Sequence, residues 1–219
     1  MVQAYFDWLA GYYDEATAAC AWAAPSALDQ DSQSLVGAGD WVLDLGVGTG
    51  QSAAPFLGRG CHVVGLDLSL AMMAEARQKH PDLWLVRADL DRTWPVRPAA
   101  FQLAISAGVY ECLLDPQGFI ARAWEALVPG GHLLFTFDEY VPDHPVQSER
   151  VGRADSGLDN PIAHLAGWKM HRHTLELVSG WLAAVGFELL AERQFEADIH
   201  SAFQVPIYYR IILARRPAG

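Results

Sequence analysis

The stretch Trp41–Gly50, WVLDLGVGTG, decides the fold that the sequence predicts. It opens with a short apolar run typical of a buried parallel strand, namely Trp41, Val42, Leu43 and Leu45. Three glycines then recur at every second position, Gly46, Gly48 and Gly50. Because glycine accepts positive φ and lets a ligand approach the backbone closely, the stretch predicts a strand that ends in a nucleotide- or nucleoside-binding turn.

The acidic residue in this stretch narrows the choice of ligand. Asp44 stands two residues ahead of the first glycine. A carboxylate there would repel a pyrophosphate and would favour a ligand that carries positive charge, such as an amino group or a sulfonium. We therefore expect a nucleoside with a cationic tail rather than a dinucleotide.

This pattern resembles motif I of the class I S-adenosylmethionine-dependent methyltransferases, D-x-G-x-G-x-G, with Asp44, Gly46, Gly48 and Gly50 at the matching positions. The dinucleotide fingerprint G-x-G-x-x-G is spaced differently. The resemblance implies one α/β domain over residues 1–219. Its Rossmann-like, mostly parallel sheet would have seven strands in the order 3-2-1-4-5-7-6, the last antiparallel, with helices on both faces.

Two further acidic residues follow predicted strands. Asp67 ends the second strand, where a carboxylate can accept hydrogen bonds from a ribose diol, although it could instead cap the next helix. In the resembling family, Leu68 and Met72 would border the adenosine. Asp89 would accept from the adenine amino group, with Leu90 beside the ring, unless Asp89 is an ordinary loop residue.

The first 30 residues are predicted to form a helical lid. YFDWLAGYYDEAT resembles the lead-in Y-x-x-x-A-x-x-Y-D of many small-molecule methyltransferases. The resemblance implies that Tyr5 and Tyr13 lie over the cofactor, where a tyrosine hydroxyl could reach its carboxylate. The alternative is that these aromatic side chains dock a helix onto the core.

The acceptor end is expected after the fourth strand, Phe101–Ser106. Ser106 would face the sulfur end of the cofactor, and Tyr110 and Glu111 would approach the acceptor. Metal-dependent O-methyltransferases carry an aspartate just after this strand. Serine and alanine stand there instead, so no metal is expected. Residues 139–173 are expected to cover the acceptor. His171 and His173 within them are candidate bases, with structural histidines as the alternative.

Composition restricts the partners. The formal net charge is −11, which gives no attraction to phosphate backbones, so nucleic acid is not expected. Three scattered cysteines suggest free thiols in a reducing compartment, and no signal peptide or membrane span is expected. We therefore predict a cytoplasmic monomer or homodimer that does not bind membranes.

The predicted reaction is an in-line displacement of the sulfonium methyl of S-adenosylmethionine by a small molecule, which releases S-adenosylhomocysteine. Two alternatives remain. One is a nicotinamide-dependent oxidoreductase, and the other is a cofactor-binding protein without transferase activity. The sequence leaves open the acceptor, the methylated atom and the catalytic base.

The sequence also makes local predictions about secondary structure. Pro25 and residues 29–34 are expected in a loop, the fifth strand at Leu133–Phe137, and the last two strands at Phe187–Arg193 and Val205–Arg215. Phe195, His200 and Phe203 are then expected in the connecting loop.

Overall fold

A computed structural model describes residues 2–153, 169–200 and 202–219. Its central sheet has seven strands in the order β3-β2-β1-β4-β5-β9-β8. Strand β9 runs antiparallel to both of its neighbours, and the first five strands are parallel. The predicted fold and strand order are confirmed. Strands β6 and β7 form a separate two-stranded sheet, so β8 and β9 are the sixth and seventh strands of the main sheet.

The strands of the main sheet are β1 (Trp41–Leu45), β2 (His62–Asp67), β3 (Trp84–Arg87), β4 (Phe101–Ser106), β5 (Leu127–Asp138), β8 (Glu188–His200) and β9 (Val205–Arg215). The two short strands are β6 (Val151–Arg153) and β7 (Lys169–His171). The helices are α1 (Val2–Leu9), α2 (Tyr13–Ala19), α3 (Ala24–Asp31), α4 (Ala54–Gly58), α5 (Leu70–Lys79), α6 (Pro116–Ala126) and α7 (Leu175–Val185). Short 3₁₀ turns occur at Ala10–Tyr12 and Tyr110–Cys112.

Both faces of the sheet are buried. Successive side chains of a strand point to opposite faces, so the neighbours Val42 and Leu43 belong to two different hydrophobic clusters. Both are fully buried. This explains why β1 reads as a continuous apolar run rather than an alternating one.

Helix ends follow the expected chemistry. Ser69 caps α5, because its hydroxyl accepts a hydrogen bond from the backbone N–H of Met72 at 3.1 Å. Thr174 caps α7 in the same way, and Gly186 ends α7 at a φ of 108°. These caps fix where α5 begins, immediately after the end of β2.

Several local predictions were wrong. Pro25 opens helix α3 instead of a loop, because proline is tolerated in the first turn of a helix. Strand β5 begins at Leu127, six residues earlier than predicted. Strand β8 continues to His200, so Phe195 and His200 lie in a strand and not in the loop. Long antiparallel pairing between β8 and β9 overrides the turn signal there.

Part of the predicted acceptor cover lies outside the described residues. The prediction for residues 139–173 can be followed only at 139–153 and 169–173. Buried Gln147 joins the first part to the sheet, since its side-chain amide donates to the carboxylate of Asp138 at 2.7 Å. In the part of the chain that the structure describes, no helix is long and apolar enough to cross a membrane.

Candidate active site

The glycine turn after β1 has the backbone that its sequence requires. Gly46, Gly48 and Gly50 all have positive φ, at 82°, 53° and 89°. The N–H of Gly46 donates to the carbonyl of Leu66 at 2.8 Å, which fixes the turn to the end of β2. A Cβ on Gly46 would lie 2.3 Å from a methyl carbon of Val109, so no larger residue fits there.

A cleft of about 740 Å³, its open mouth included, lies at the carboxyl ends of β1, β2 and β4. This is the edge where parallel α/β sheets bind ligands. The residues predicted to contact the cofactor that line the cleft are Tyr13, Gly46, Gly48, Asp67, Leu68, Met72, Asp89 and Leu90. Helix α1 closes one side, with Val2, Gln3 and Phe6 in the wall.

Asp67 is held at the floor of the cleft by backbone groups. One carboxylate oxygen accepts from the N–H of Gly48 at 2.8 Å, and the other accepts from the N–H of Ser69 at 2.8 Å. Burial raises the pKa of Asp67, although these two hydrogen bonds lower it. Since an ionised carboxylate offers about four lone-pair sites, two remain for a ligand such as a diol.

Asp89 and Leu90 form another part of the cleft wall. The carboxylate of Asp89 accepts from the N–H of Asp91 at 3.0 Å and pairs with Arg92 at 3.2 Å. Leu90 is buried, and Trp94 donates to its carbonyl through the indole N–H at 3.2 Å. With Leu68 and Met72 this wall offers an apolar slot suited to a flat ring.

Asp44 lies beneath the glycine turn and does not line the cleft. It is completely buried, and the hydroxyl of Ser52 donates to one of its carboxylate oxygens at 2.7 Å. The other oxygen, Oδ1, has no hydrogen-bond partner among the described residues. Burial raises the pKa of Asp44 to about 7.

Three other residues predicted to contact the cofactor do not line the cleft. Tyr5 packs in a buried cluster with Leu9 and Met72. Gly50 lies against the His80 ring, which a Cβ there would meet at 2.6 Å. Ser106 is buried and donates to the carbonyl of Leu45 at 2.8 Å, which joins β4 to β1.

None of the four predicted catalytic residues lines the cleft, and three of them lie in the core or in β7. Tyr110 is completely buried among aromatic rings, and its hydroxyl donates to the carbonyl of Pro116 at 3.2 Å. His173 is buried against Tyr110 and Trp181, and burial lowers its pKa to about 4. His171 is half-buried in β7, opposite Val151. The apolar neighbours of Tyr110 and His173 explain why these two face the core.

The fourth predicted catalytic residue, Glu111, lies directly behind the cleft. Its Oε1 would be 3.7 Å from a Cβ on Gly108, which lines the cleft. The hydroxyl of Tyr209 donates to this oxygen at 2.6 Å. Glu111 is buried, and burial raises its pKa to about 7 while the Tyr209 bond opposes the shift.

Sequence reasoning missed several residues that build this site. Gly65 in β2 makes room for Val47 of the glycine turn, because a Cβ on Gly65 would lie 2.7 Å from a Val47 methyl. Its position inside a strand pattern was the available signal. Asp91 lines the cleft beside Asp89. Asp14 bonds the glycine turn from helix α2, a contact that no local pattern indicates.

The cleft is acidic. Asp67, Asp89 and Asp91 line it, and among the described residues no Lys or Arg does. Such a lining disfavours a diphosphate and favours a neutral or cationic ligand. No group of three or more His, Cys, Asp or Glu side chains in the described part of the chain is arranged to hold a metal ion.

Known proteins are similar to this chain in sequence. The family described as "Methyltransferase domain" matches residues 43–135. The chain is 27% identical to a demethylmenaquinone methyltransferase of Renibacterium salmoninarum over 184 residues, 76% of this chain and 75% of that protein. It is 31% identical to a trans-aconitate 2-methyltransferase of Variovorax paradoxus, over 76% of this chain and 62% of that protein.

A solved structure is also similar. An S-adenosylmethionine-dependent methyltransferase of Mesorhizobium loti superposes with a TM-score of 0.68 at 26% identity, over 87% of this chain and 96% of that one. Fold and cleft together therefore define a Rossmann-like nucleoside-binding enzyme. These comparisons support a class I S-adenosylmethionine-dependent methyltransferase with S-adenosylmethionine as its cofactor.

Proposed function

We propose that this enzyme transfers the methyl group of S-adenosylmethionine to a small-molecule acceptor. The acidic cleft carries the proposal. Three carboxylates line a space that α1 closes on one side, and no Lys or Arg of the described residues lines it. That lining suits a sulfonium nucleoside and disfavours the diphosphate of a nicotinamide cofactor. The net charge of −11 argues against a nucleic-acid acceptor.

The residues present fit the cofactor. Asp67 has two acceptor sites left for the ribose diol, and Asp89 can accept from the adenine amino group. Leu68, Met72 and Leu90 would border the ring. When bound, the cofactor supplies a methyl group on a sulfonium, which is already a good leaving group. The protein then contributes alignment, exclusion of water and acceptance of a proton from the acceptor.

The acceptor remains open within the class of small molecules. The similar proteins are named for demethylmenaquinone and trans-aconitate, two different acceptors. We further propose that helix α1 and its neighbours act as a lid, and that residues 139–173 cover the acceptor. All three cysteines are free thiols, which favours a reducing compartment such as the cytoplasm.

Calorimetry with two ligands tests the cofactor site. We expect S-adenosylhomocysteine to bind with micromolar affinity and NAD not to bind. Asp67→Asn should weaken S-adenosylhomocysteine binding at least tenfold, because one of the two backbone N–H groups would face an amide N–H₂ instead of an oxygen. The matched control, Asp82→Asn, changes an exposed aspartate and should leave the affinity unchanged. Binding of NAD alone would refute the proposal.

A further inference from the structure

Behind Gly108, which lines the cleft, side chains from three parts of the chain meet. The indole of Trp22 lies 2.6 Å from where a Cβ on Gly108 would be, so only glycine fits there. Trp22 packs edge-to-face on Tyr209, with ring centroids 5.2 Å apart. Tyr209 in turn donates its hydroxyl to Glu111 at 2.6 Å. The chain therefore builds an aromatic wall around one carboxylate.

The carboxylate of Glu111 is only half satisfied. Its side chain is 2% exposed, and its Oε2 has no hydrogen-bond partner among the described residues. Leaving a buried polar atom without a partner costs about 1–3 kcal/mol, more for a charged group. A ligand that donates a hydrogen bond to Oε2 would recover that cost. The other carboxylate oxygen, Oε1, lies 3.7 Å from the position that a Cβ on Gly108 would take, and Gly108 lines the cleft.

The surroundings of Glu111 are mainly acidic or phenolic. Asp138, with Arg172 paired to it at 2.9 Å, lies directly across from Tyr209 in the β5–β9 ladder. The titratable and charged groups near this cluster are Tyr13, Cys112, Asp138, Arg172, His173, Asp198 and Tyr209. Because Arg172, the buried cation among these groups, is already paired with Asp138, an anionic acceptor would meet net repulsion here.

We propose that Trp22, Glu111 and Tyr209 form the acceptor subsite, and that the acceptor is an uncharged or cationic small molecule that presents an O–H or N–H group to Glu111. This rests on the proposed methyl transfer and names its substrate class. The acceptor oxygen or nitrogen forms a bond to the methyl carbon as the bond from carbon to sulfur breaks. The sulfur keeps that electron pair, and the acceptor proton passes to Glu111.

Glu111 and Tyr209 have different roles. Glu111 touches the acceptor, whereas Tyr209 is a positioning residue that orients Glu111 through its hydroxyl. The pKa of Glu111, raised by burial to about 7, suits a group that takes a proton near neutral pH. Removing the Tyr209 hydroxyl would remove a bond that lowers this pKa.

Three ring compounds of similar size test the substrate class: catechol, phenethylamine and phenylacetate, each added to protein saturated with S-adenosylhomocysteine. Calorimetry should show millimolar or tighter binding of catechol or phenethylamine, and binding of phenylacetate at least tenfold weaker. Comparison of catechol with phenethylamine distinguishes a hydroxyl acceptor from an amine acceptor. Preferred binding of phenylacetate, or no binding of either donor compound, would overturn the proposal.

Variants then test the roles of Glu111 and Tyr209, with labelled S-adenosylmethionine and whichever donor compound binds. Glu111→Gln should lower kcat at least 100-fold and abolish the acid limb of the pH profile. Tyr209→Phe should lower kcat about tenfold and move that limb to higher pH. Asp198→Asn, which removes a neighbouring carboxylate, should leave the limb in place.

Affinity for S-adenosylhomocysteine separates the two proposals. It should stay within threefold of wild type in all three variants, which also shows that they fold. Full turnover by Glu111→Gln with unchanged cofactor affinity would overturn the acceptor subsite while leaving the proposed function intact. Loss of cofactor binding by the wild-type protein would instead refute the proposed function.

Discussion

The carboxylate of Asp14 accepts a hydrogen bond from the hydroxyl of Thr49 at 2.6 Å, which joins the N-terminal segment to the glycine turn. The side-chain amide of Gln51 donates to the same oxygen at 2.8 Å, and Lys79 pairs with the other oxygen. One residue of helix α2 thus contacts both the turn and the end of α5.

Replacing Asp14 should loosen the N-terminal segment. In Asp14→Ala we expect S-adenosylhomocysteine affinity to fall about tenfold, because α1 and Tyr13 supply one wall of the cleft. Limited proteolysis should cut the first 20 residues faster than in the wild type. Glu15→Ala, an exposed neighbour, is the matched control and should behave like the wild type. Unchanged affinity and proteolysis in Asp14→Ala would show that this contact does not hold the segment.

The same contact should depend on pH at the acidic end. Burial raises the pKa of Asp14, but the bonds from Lys79, Thr49 and Gln51 outweigh this effect and hold it below its ordinary value of 3.8. Its contribution to stability is therefore present above pH 3.8 and lost as the pH falls through the lowered folded-state value. Proteolysis of the wild-type segment by an acid-active protease should accelerate there, and Asp14→Ala should show no such step.

Asp44 should make the free protein less stable as the pH rises. Because burial raises its folded-state pKa to about 7 from 3.8, the folded protein holds the proton more tightly than the unfolded chain. Stability contributed by the protonated form is thus present below pH 3.8 and lost as the pH rises towards 7. Between pH 5 and pH 8, the free energy of unfolding of Asp44→Asn, measured in urea, should rise relative to that of the wild type by roughly 1–3 kcal/mol. Glu111 titrates in both proteins, so its effect cancels in the comparison. If unfolding free energy varied with pH in the same way in both proteins, Asp44 would not titrate in this range.

Tyr110 should behave as a core residue. Tyr110→Phe keeps the ring in its aromatic cluster and removes only the bond to the Pro116 carbonyl. We expect a loss of about 0.5–1.5 kcal/mol in unfolding free energy. S-adenosylhomocysteine affinity and turnover should stay within twofold of wild type. A large loss of turnover at near-normal stability would restore the catalytic role that its sequence position suggested.

Gly65 should control the position of the glycine turn. In Gly65→Ala the new Cβ would overlap Val47, whose two methyl carbons and Cβ lie 2.7–2.8 Å from it. We expect a cost of about 1–3 kcal/mol in unfolding free energy and weaker S-adenosylhomocysteine binding, since Val47 stands between Gly46 and Gly48. Adding Val47→Ala removes the methyl contacts but not the Cβ contact, so it should restore part of both losses. No loss in Gly65→Ala would show that the turn adjusts freely.

Local signals predicted the architecture well because they act over short distances. The apolar run of β1 and the glycine turn each depend on neighbouring residues. They predicted the edge at which the cleft lies, whereas the strand order was implied by the resemblance to the methyltransferases. Asp67, at the end of β2, and Asp89, in the loop after β3, both line the cleft.

Which side chains face the cleft was decided only by tertiary structure. Tyr110 and His173 face the core because they pack against each other and against aromatic residues distant in sequence. Glu111, next to Tyr110, instead accepts a hydrogen bond from Tyr209 of β9. Asp44 lies under the turn and not in the cleft because Ser52 and the packed strands enclose it. Short-range pattern therefore determined where the site lies, and long-range packing and burial determined which residues can act in it.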